Sequence, residues 1–182
     1  FKYPYSRGYI GAFLGKGMAN KALLEFSTEL RKSLKKIFLN YYLSQAWSFK
    51  YDAKREGIGV HADDASVNVN FWITDNSANM NSDNGGMIIW KKTPNDNATF
   101  KDFNSLESID KIKDEVKDTD FMRVPYKSNR AVIFNSKLYH VTDKIEFKDN
   151  YKDRRVNITF LYKWKYNYLK KLPNTILINI MY

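Results

Sequence analysis

From Asn20 the apolar positions fall three and four apart. NKALLEFSTELRKSLKKIFLNYYL places Leu23, Leu24, Leu30, Leu34, Ile37 and Phe38 at helical spacing, with lysines on the opposite side. That pattern predicts an amphipathic helix covering one face of a sheet. After Trp47 the period drops to two. In VNVNFWI, Val67, Val69, Phe71 and Ile73 alternate with Asn68, Asn70 and Trp72, as in a strand between two unlike environments. NSANMNSDNGG follows, dense in turn formers, and its closing Gly85-Gly86 predicts a hairpin turn with no chemistry of its own.

MIIW, RAVIF and RVNITFLY predict further strands. Residues 93–121 interrupt them as a charged insertion, within which SLESIDKIKDEV predicts a helix. Ile109, Ile112 and Val116 share one side of it, and its acidic residues come before its lysines, matching the helix dipole. Residues 1–19 show no clear period, and neither a repeat nor an interdomain linker is visible. The simplest architecture is a single mainly β domain over 1–182 with flanking helices. Helical support would occupy about 1–46 and the strand core about 47–165, with 93–121 set to act as a lid or substrate-binding wall.

Composition narrows the chemistry. The chain of 182 residues has no cysteine, which removes disulfides, thiolate nucleophiles and zinc–thiolate sites, and favours an intracellular, cytoplasmic protein. No apolar run approaches the ~20 residues of a membrane span. The chain opens on Phe rather than Met, as a piece of a longer protein would, so its start says nothing for or against a leader. A net charge of +10 suits nucleic acid or an anionic surface. Lysines far outnumber arginines, however, and 18 residues are Asn by count, a profile that an AT-rich genome imposes without selection for binding. The basic aromatic run YKWKYNYLKK, from Tyr162 to Lys171, could stack bases; a solvated strand or helix end is the plainer expectation.

The chain has two histidines. His61 stands in GVHADD, two places before Asp63. His140 follows the strand AVIFN and a short turn, and Arg155 opens Arg-x-Asn-x-Thr fifteen residues further on. His-x-Asp alone is weak, because Asp fills 14 of 182 positions by count and so falls there by chance about one time in thirteen. Two imidazoles and one carboxylate with open positions are the donor set that suits non-haem Fe(II). Spending the whole histidine supply on it argues against two unrelated core histidines.

These residues resemble the Fe(II)/2-oxoglutarate-dependent oxygenases, nearest the prolyl-hydroxylase-like branch, from about Tyr51 to Tyr162. The resemblance implies a double-stranded β-helix, a jelly-roll or cupin-like barrel with iron at its mouth. It implies His61 and Asp63 as proximal ligands and His140 as the distal one, with Fe(II), 2-oxoglutarate and O2 as cofactor and cosubstrates. It also implies Arg155 as the partner of the far 2-oxoglutarate carboxylate and Tyr51 as a hydrogen-bond donor to it. Strand alternation supports Arg155 over Arg154, because Arg155, Asn157 and Thr159 share the polar face. An arginine fork binds a carboxylate in a way that lysine does not. The same phase turns Asn70 inward, within reach of the cosubstrate.

The Arg-x-Asn-x-Thr run also resembles the alkylation-repair demethylases, but Leu161 stands where those carry a second arginine. The expected function is therefore hydroxylation of a C–H bond in a protein side chain or small molecule. A nucleic-acid oxygenase and a catalytically silent barrel kept as a binding module are the alternatives.

Overall fold

The computed structural model describes residues 3–5, 8–55, 57–165 and 176–180. In chain order the elements are β1 (Tyr3–Tyr5), β2 (Tyr9–Phe13), α1 (Lys21–Ser33), α2 (Lys35–Phe38), β3 (Tyr41–Tyr51), β4 (Lys54–Arg55), β5 (Val67–Trp72) and β6 (Met87–Trp90). Then come α3 (Phe100–Phe103), α4 (Ile109–Val116), β7 (Phe121–Val124), β8 (Arg130–Asn135), β9 (His140–Thr142), β10 (Ile145–Glu146), β11 (Val156–Trp164) and β12 (Ile176–Ile180). Seven strands form one antiparallel sheet in the order β1-β2-β3-β11-β5-β8-β12, and three form a smaller one in the order β7-β6-β9. From β5 onward the chain alternates between them: β5 in the large sheet, β6 and β7 in the small, β8 in the large, β9 in the small, β11 in the large.

Alternation in β5 decides what each face of the large sheet meets. Val67 and Val69 are buried against the helical layer, where Leu23, Leu30, Phe38, Phe160 and Tyr162 join them. Phe26 lies against both Phe71 and Phe160, at 5.2 and 5.3 Å between ring centroids. The helix is therefore held by its apolar stripe, and each fully buried Leu or Phe there contributes about 1.5–3 kcal/mol. Trp72 points the other way, into a core shared with Met87 and Ile89 of β6, Val124 of β7 and Phe134 of β8. The two sheets thus face each other across a common interior. Among the described residues neither closes on itself, so the strands form two facing sheets and not a closed barrel.

The N-terminal third differs from its pattern. Asn20 caps α1 by accepting from the Leu23 amide at 3.0 Å, but the helix breaks at Leu34, where φ is −113° and ψ 48°. After the short α2 the chain enters β3 at Tyr41, and Tyr41–Leu43 pair with Tyr162–Trp164 of β11. Cross-strand pairing overrides a helical period that would continue to Leu43. Residues 9–13, aperiodic in sequence, form β2 along β3. The support expected over 1–46 is thus two helices inserted between strands of the large sheet.

The 93–121 segment contains the expected helix, and Ile112 and Val116 are buried with Ile109 beside them. Their partners are Val60, Ala62 and Tyr139, so the segment packs directly on the stretch carrying His61 and Asp63. Close approach explains Gly86: a Cβ there would lie 1.8 Å from the Val124 carbonyl oxygen. No helix among the described residues is long and apolar enough to cross a membrane.

Candidate metal centre

His61 and His140 are paired directly. Each donates its backbone N–H to the other's carbonyl, at 3.0 and 2.8 Å, forming a single antiparallel bridge beside β9. This rung sets the two rings 4.3 Å apart between centroids. Asp63 follows two residues after His61, its amide bound to the Ser136 carbonyl at 3.0 Å. The chain direction that brings the histidines together therefore brings the carboxylate as well. His140 and Asp63 are buried and His61 partly so, and one donor atom of each lies within 4.8 Å of the others.

Hydrogen bonding dictates which atoms face inward. His61 Nδ1 lies 2.7 Å from the Gly59 carbonyl and His140 Nδ1 2.8 Å from that of Leu138. A carbonyl only accepts, so both Nδ1 atoms carry hydrogen and both Nε2 atoms present a lone pair. These face Asp63, with His61 Nε2 at 3.7 Å from Oδ1 and His140 Nε2 at 3.5 Å from Oδ2. With both imidazoles neutral, three acceptors are aimed at one another, a set that fits a cation, which would take the place of the His140–Asp63 hydrogen bond of the metal-free protein. Backbone carbonyls orient the imidazoles, as is usual around ligating histidines. Asp63 is steadied by the Asn68 amide at 2.9 Å and by Asn104 Nδ2 at 3.3 Å, while Asn104 also donates to the Ala62 carbonyl at 2.6 Å.

Burial pulls the His61 pKa down to about 4, and nearby His140 adds to the effect; Asp63 and the Gly59 carbonyl oppose it weakly. Burial pushes Asp63 up, but His140, His61 and Asn104 outweigh it and hold the carboxyl below its ordinary value. The sign for stability follows. An unfolded histidine takes its proton near pH 6.5, whereas folded His61 stays neutral to about pH 4. Between these values the unfolded chain binds more protons, so falling pH destabilises the metal-free fold, by at most about 3 kcal/mol. Asp63 acts in a lower window, where its contribution is lost as pH falls through its depressed pKa. Urea unfolding of chelator-treated protein between pH 7 and 4.5 should show a stability loss that His61→Gln reduces. Equal pH slopes in both proteins would refute this.

The floor beyond the triad is laid out by strand register. Gln45, Trp47 and Phe49 of β3 lie opposite Leu161, Thr159 and Asn157 of β11, and these lie opposite Asn68, Asn70 and Trp72 of β5. Arg155 precedes β11 and is 2% exposed. Its Nε donates to the Gly85 carbonyl at 2.6 Å and its Nη1 to Asn157 Oδ1 at 3.3 Å, and its guanidinium carbon sits 5.0 Å from the Tyr51 ring centroid. Trp72 and Tyr126 complete an aromatic surround. No carboxylate forms an ion pair with it among the described residues. Desolvation lowers its pKa, opposed by Tyr51 and Tyr126; burial raises that of Tyr51 against the pull of Arg155, keeping the phenol neutral. Arg154 points outward and pairs with Asp52 at 3.0 Å and Asp149 at 3.1 Å.

Obligate donors fix the remaining amides. Trp72 Nε1 donates to Asn70 Oδ1 at 2.7 Å, which turns Asn70 Nδ2 onto Thr159 Oγ1 at 3.0 Å. Arg155 orients Asn157 in the same way, and its Nδ2 meets the same hydroxyl at 3.2 Å. Thr159 accepts twice and so keeps its proton for an acceptor in the cavity.

A cavity of about 600 Å³ is lined by His61, Asp63 and His140 and by Tyr51, Asn70, Asn157 and Thr159. Arg155 does not line it but touches Asn157, which does. Asp64 lies at its exposed edge, tied to Lys137 and Lys163. Of the basic aromatic run, Tyr162 is core, Lys163 holds Asp64 and Trp164 packs edge-on to Tyr41 at 4.8 Å. Tyr166 to Lys171 lie outside the described residues. Sequence patterning turns Asn68 inward without a role; nothing local marks Asn104 or the Gly85 carbonyl.

No protein-family model and no curated protein matches the sequence. Solved structures do. EvdMO1 superposes with a TM-score of 0.56 at 15% identity, over 88% of this chain and 38% of EvdMO1. The chain thus spans less than two-fifths of that relative's length. AviO1 from Streptomyces viridochromogenes Tue57 gives 0.54 at 14% identity, over 87% of this chain and 71% of AviO1. Further off, at 0.45 and 11% identity over 86% of this chain and 79% of its own, is the non-heme alpha ketoglutarate dependent carbocyclase SnoK from nogalamycin biosynthesis. EvdMO1 and AviO1 establish a shared fold, and SnoK is too distant to carry an argument.

Proposed function

We propose that the protein is an Fe(II)- and 2-oxoglutarate-dependent dioxygenase that hydroxylates a C–H bond of a small molecule or protein side chain. The proposal is drawn at the level of the superfamily, not of the prolyl-hydroxylase-like branch. What carries it is the convergence of two imidazole lone pairs and one carboxylate in the same cavity that Tyr51 and Asn157 line, beside a buried arginine that forms no ion pair among the described residues. In this account the facing sheets are the two halves of a double-stranded β-helix, one domain spans 1–182, and the 93–121 segment walls the substrate side.

His61, Asp63 and His140 would hold the iron. Bound iron with 2-oxoglutarate and O2 supplies the oxidant, one oxygen entering the substrate as 2-oxoglutarate becomes succinate and CO2. The chain's own residues bind and orient. Arg155, reached past Asn157, offers the charge for the far carboxylate, and Tyr51 and Thr159 offer hydroxyl donors. Asn68 and Asn104 hold Asp63 in register, and the aromatic core behind Arg155 keeps water from competing for it.

The test incubates Fe(II)-loaded protein with 2-oxoglutarate in air against peptide, metabolite and oligonucleotide pools. A mass gain of one oxygen, matched by succinate and lost in Asp63→Ala, is expected. No succinate above the Asp63→Ala control with any pool would overturn the proposal.

A further inference from the structure

The end of the same cavity away from Tyr51 and Asn157 is poor in charged side chains. The chain carries 30 lysines and arginines, yet no Lys or Arg lines the cavity among the described residues. One part of its lining is aromatic: Phe13, Trp47 and Phe49 from β2 and β3. Another comes from the 93–121 segment, as Phe100, Leu106 and Ile109. Leu106 is 59% exposed and Phe100 54%, unusual solvent contact for side chains that border a cavity. Outside the triad the remaining polar groups at this end are neutral, Gln45, Asn104 and Ser105 among them. Asp64 is the exception. It is already bridged by Lys137 at 3.1 Å and Lys163 at 3.0 Å, all three half-exposed, so the cluster offers a guest little field.

The wall contributed by 93–121 is built, not loose. Phe103, Ile112 and Val116 lock it into a core with Val60, Ala62 and Tyr139, and Asn104 ties it to the Ala62 carbonyl. An open-sided cavity of about 600 Å³ is the size of a small-molecule site. With the metal end taken up by the cosubstrate, a phosphate entering the rest would meet Asp64 and find no Lys or Arg on the described lining. An ammonium group would approach a chain of net charge +10 and find the Asp63 and Asp64 carboxylates engaged.

We propose that the substrate is a small uncharged molecule with a ring or comparable apolar face, held between the β2–β3 aromatics and the Phe100–Ile109 wall. This rests on the oxygenase assignment and names the substrate class of the same site. Nucleic acid and charged side chains are the occupants it excludes.

Calorimetry on the anaerobic protein with Fe(II) and saturating 2-oxoglutarate, so that the cosubstrate end is filled, tests it with three probes of one shape, 2-naphthol, 2-naphthyl phosphate and 2-naphthylmethylammonium, and with a single-stranded oligonucleotide. 2-Naphthol should bind at least about tenfold more tightly than either charged analogue, the equivalent of one desolvated contact. Leu106→Ser should weaken it about three- to tenfold, and Leu106→Lys should shift the preference toward the phosphate. Tighter binding of the phosphate, the ammonium or the oligonucleotide, or no 2-naphthol binding up to its solubility limit, overturns the proposal. 2-Oxoglutarate is titrated separately. If it binds while the phosphate probe wins, the substrate class fails and the oxygenase assignment stands. If it does not bind while 2-naphthol wins, the assignment fails and the cavity's selectivity stands.

Discussion

Replacing His61, Asp63 or His140 with alanine is expected to abolish stoichiometric Fe(II) binding. Each supplies one of the three donors that converge among the described residues, and both imidazoles are fixed by carbonyls that leave Nε2 bare when neutral. Anaerobic titration should give one ion per wild-type chain and at least ~100-fold weaker binding in each variant, above the 10- to 100-fold that outer partners usually cost. The arrangement also predicts an order. Asn68→Ala and Asn104→Ala, which release Asp63 without removing a donor, should fall in that intermediate range. Asp64→Ala should bind like wild type, because Asp64 spends its oxygens on two lysines. Undiminished binding in both His61→Ala and His140→Ala would remove the metal centre from consideration, and with it the proposed function.

Period-two patterns are what the sequence showed most clearly. Val67 and Val69 against Asn68, Asn70 and Trp72 separate as the alternation predicts, valines to the helices and the rest to the cavity side. Arg155 and Arg154 separate likewise, one buried and one in surface ion pairs. Burial on a pleated strand depends on residue parity, and parity is local. What was not legible is long-range. The backbone rung between His61 and His140 joins positions 79 residues apart by number, and no local signal encodes it. Asn104 belongs to a segment marked only by charge and a helical period, yet it reaches Asp63. The Gly85-Gly86 turn reads as simple punctuation. In the structure Gly85, at φ +79°, presents the carbonyl that holds Arg155, and only the fold reveals that. The overlong helix after Asn20 failed for the opposite reason: Tyr41 to Leu43 keep helical spacing but find strand partners in β11.

Arg155→Ala should weaken 2-oxoglutarate binding to the anaerobic Fe(II) protein by at least about 30-fold, since removing one partner of a buried charge pair typically costs 2–5 kcal/mol or more. Arg154→Ala, one residue away, should change it by less than about twofold, because exposed pairs such as those with Asp52 and Asp149 are worth about 1 kcal/mol or less and lie off the cavity. Two further variants separate charge from geometry. Arg155→Lys keeps the cation but cannot place one donor on the Gly85 carbonyl, a second on Asn157 and still present a fork; it should recover only part of the loss. Tyr51→Phe removes one neutral hydroxyl beside the guanidinium and should cost about tenfold or less. Because Arg155 is buried among Tyr51, Trp72 and Tyr126, its alanine variant must first show wild-type Fe(II) stoichiometry, which confirms that the triad still assembles. With that condition met, equal losses at 154 and 155, or a larger loss at 154, would show that the buried guanidinium serves packing alone. A loss confined to 155 and partly restored by lysine would mark it as the anion's counter-charge, the role that its burial without an ion pair among the described residues leaves open.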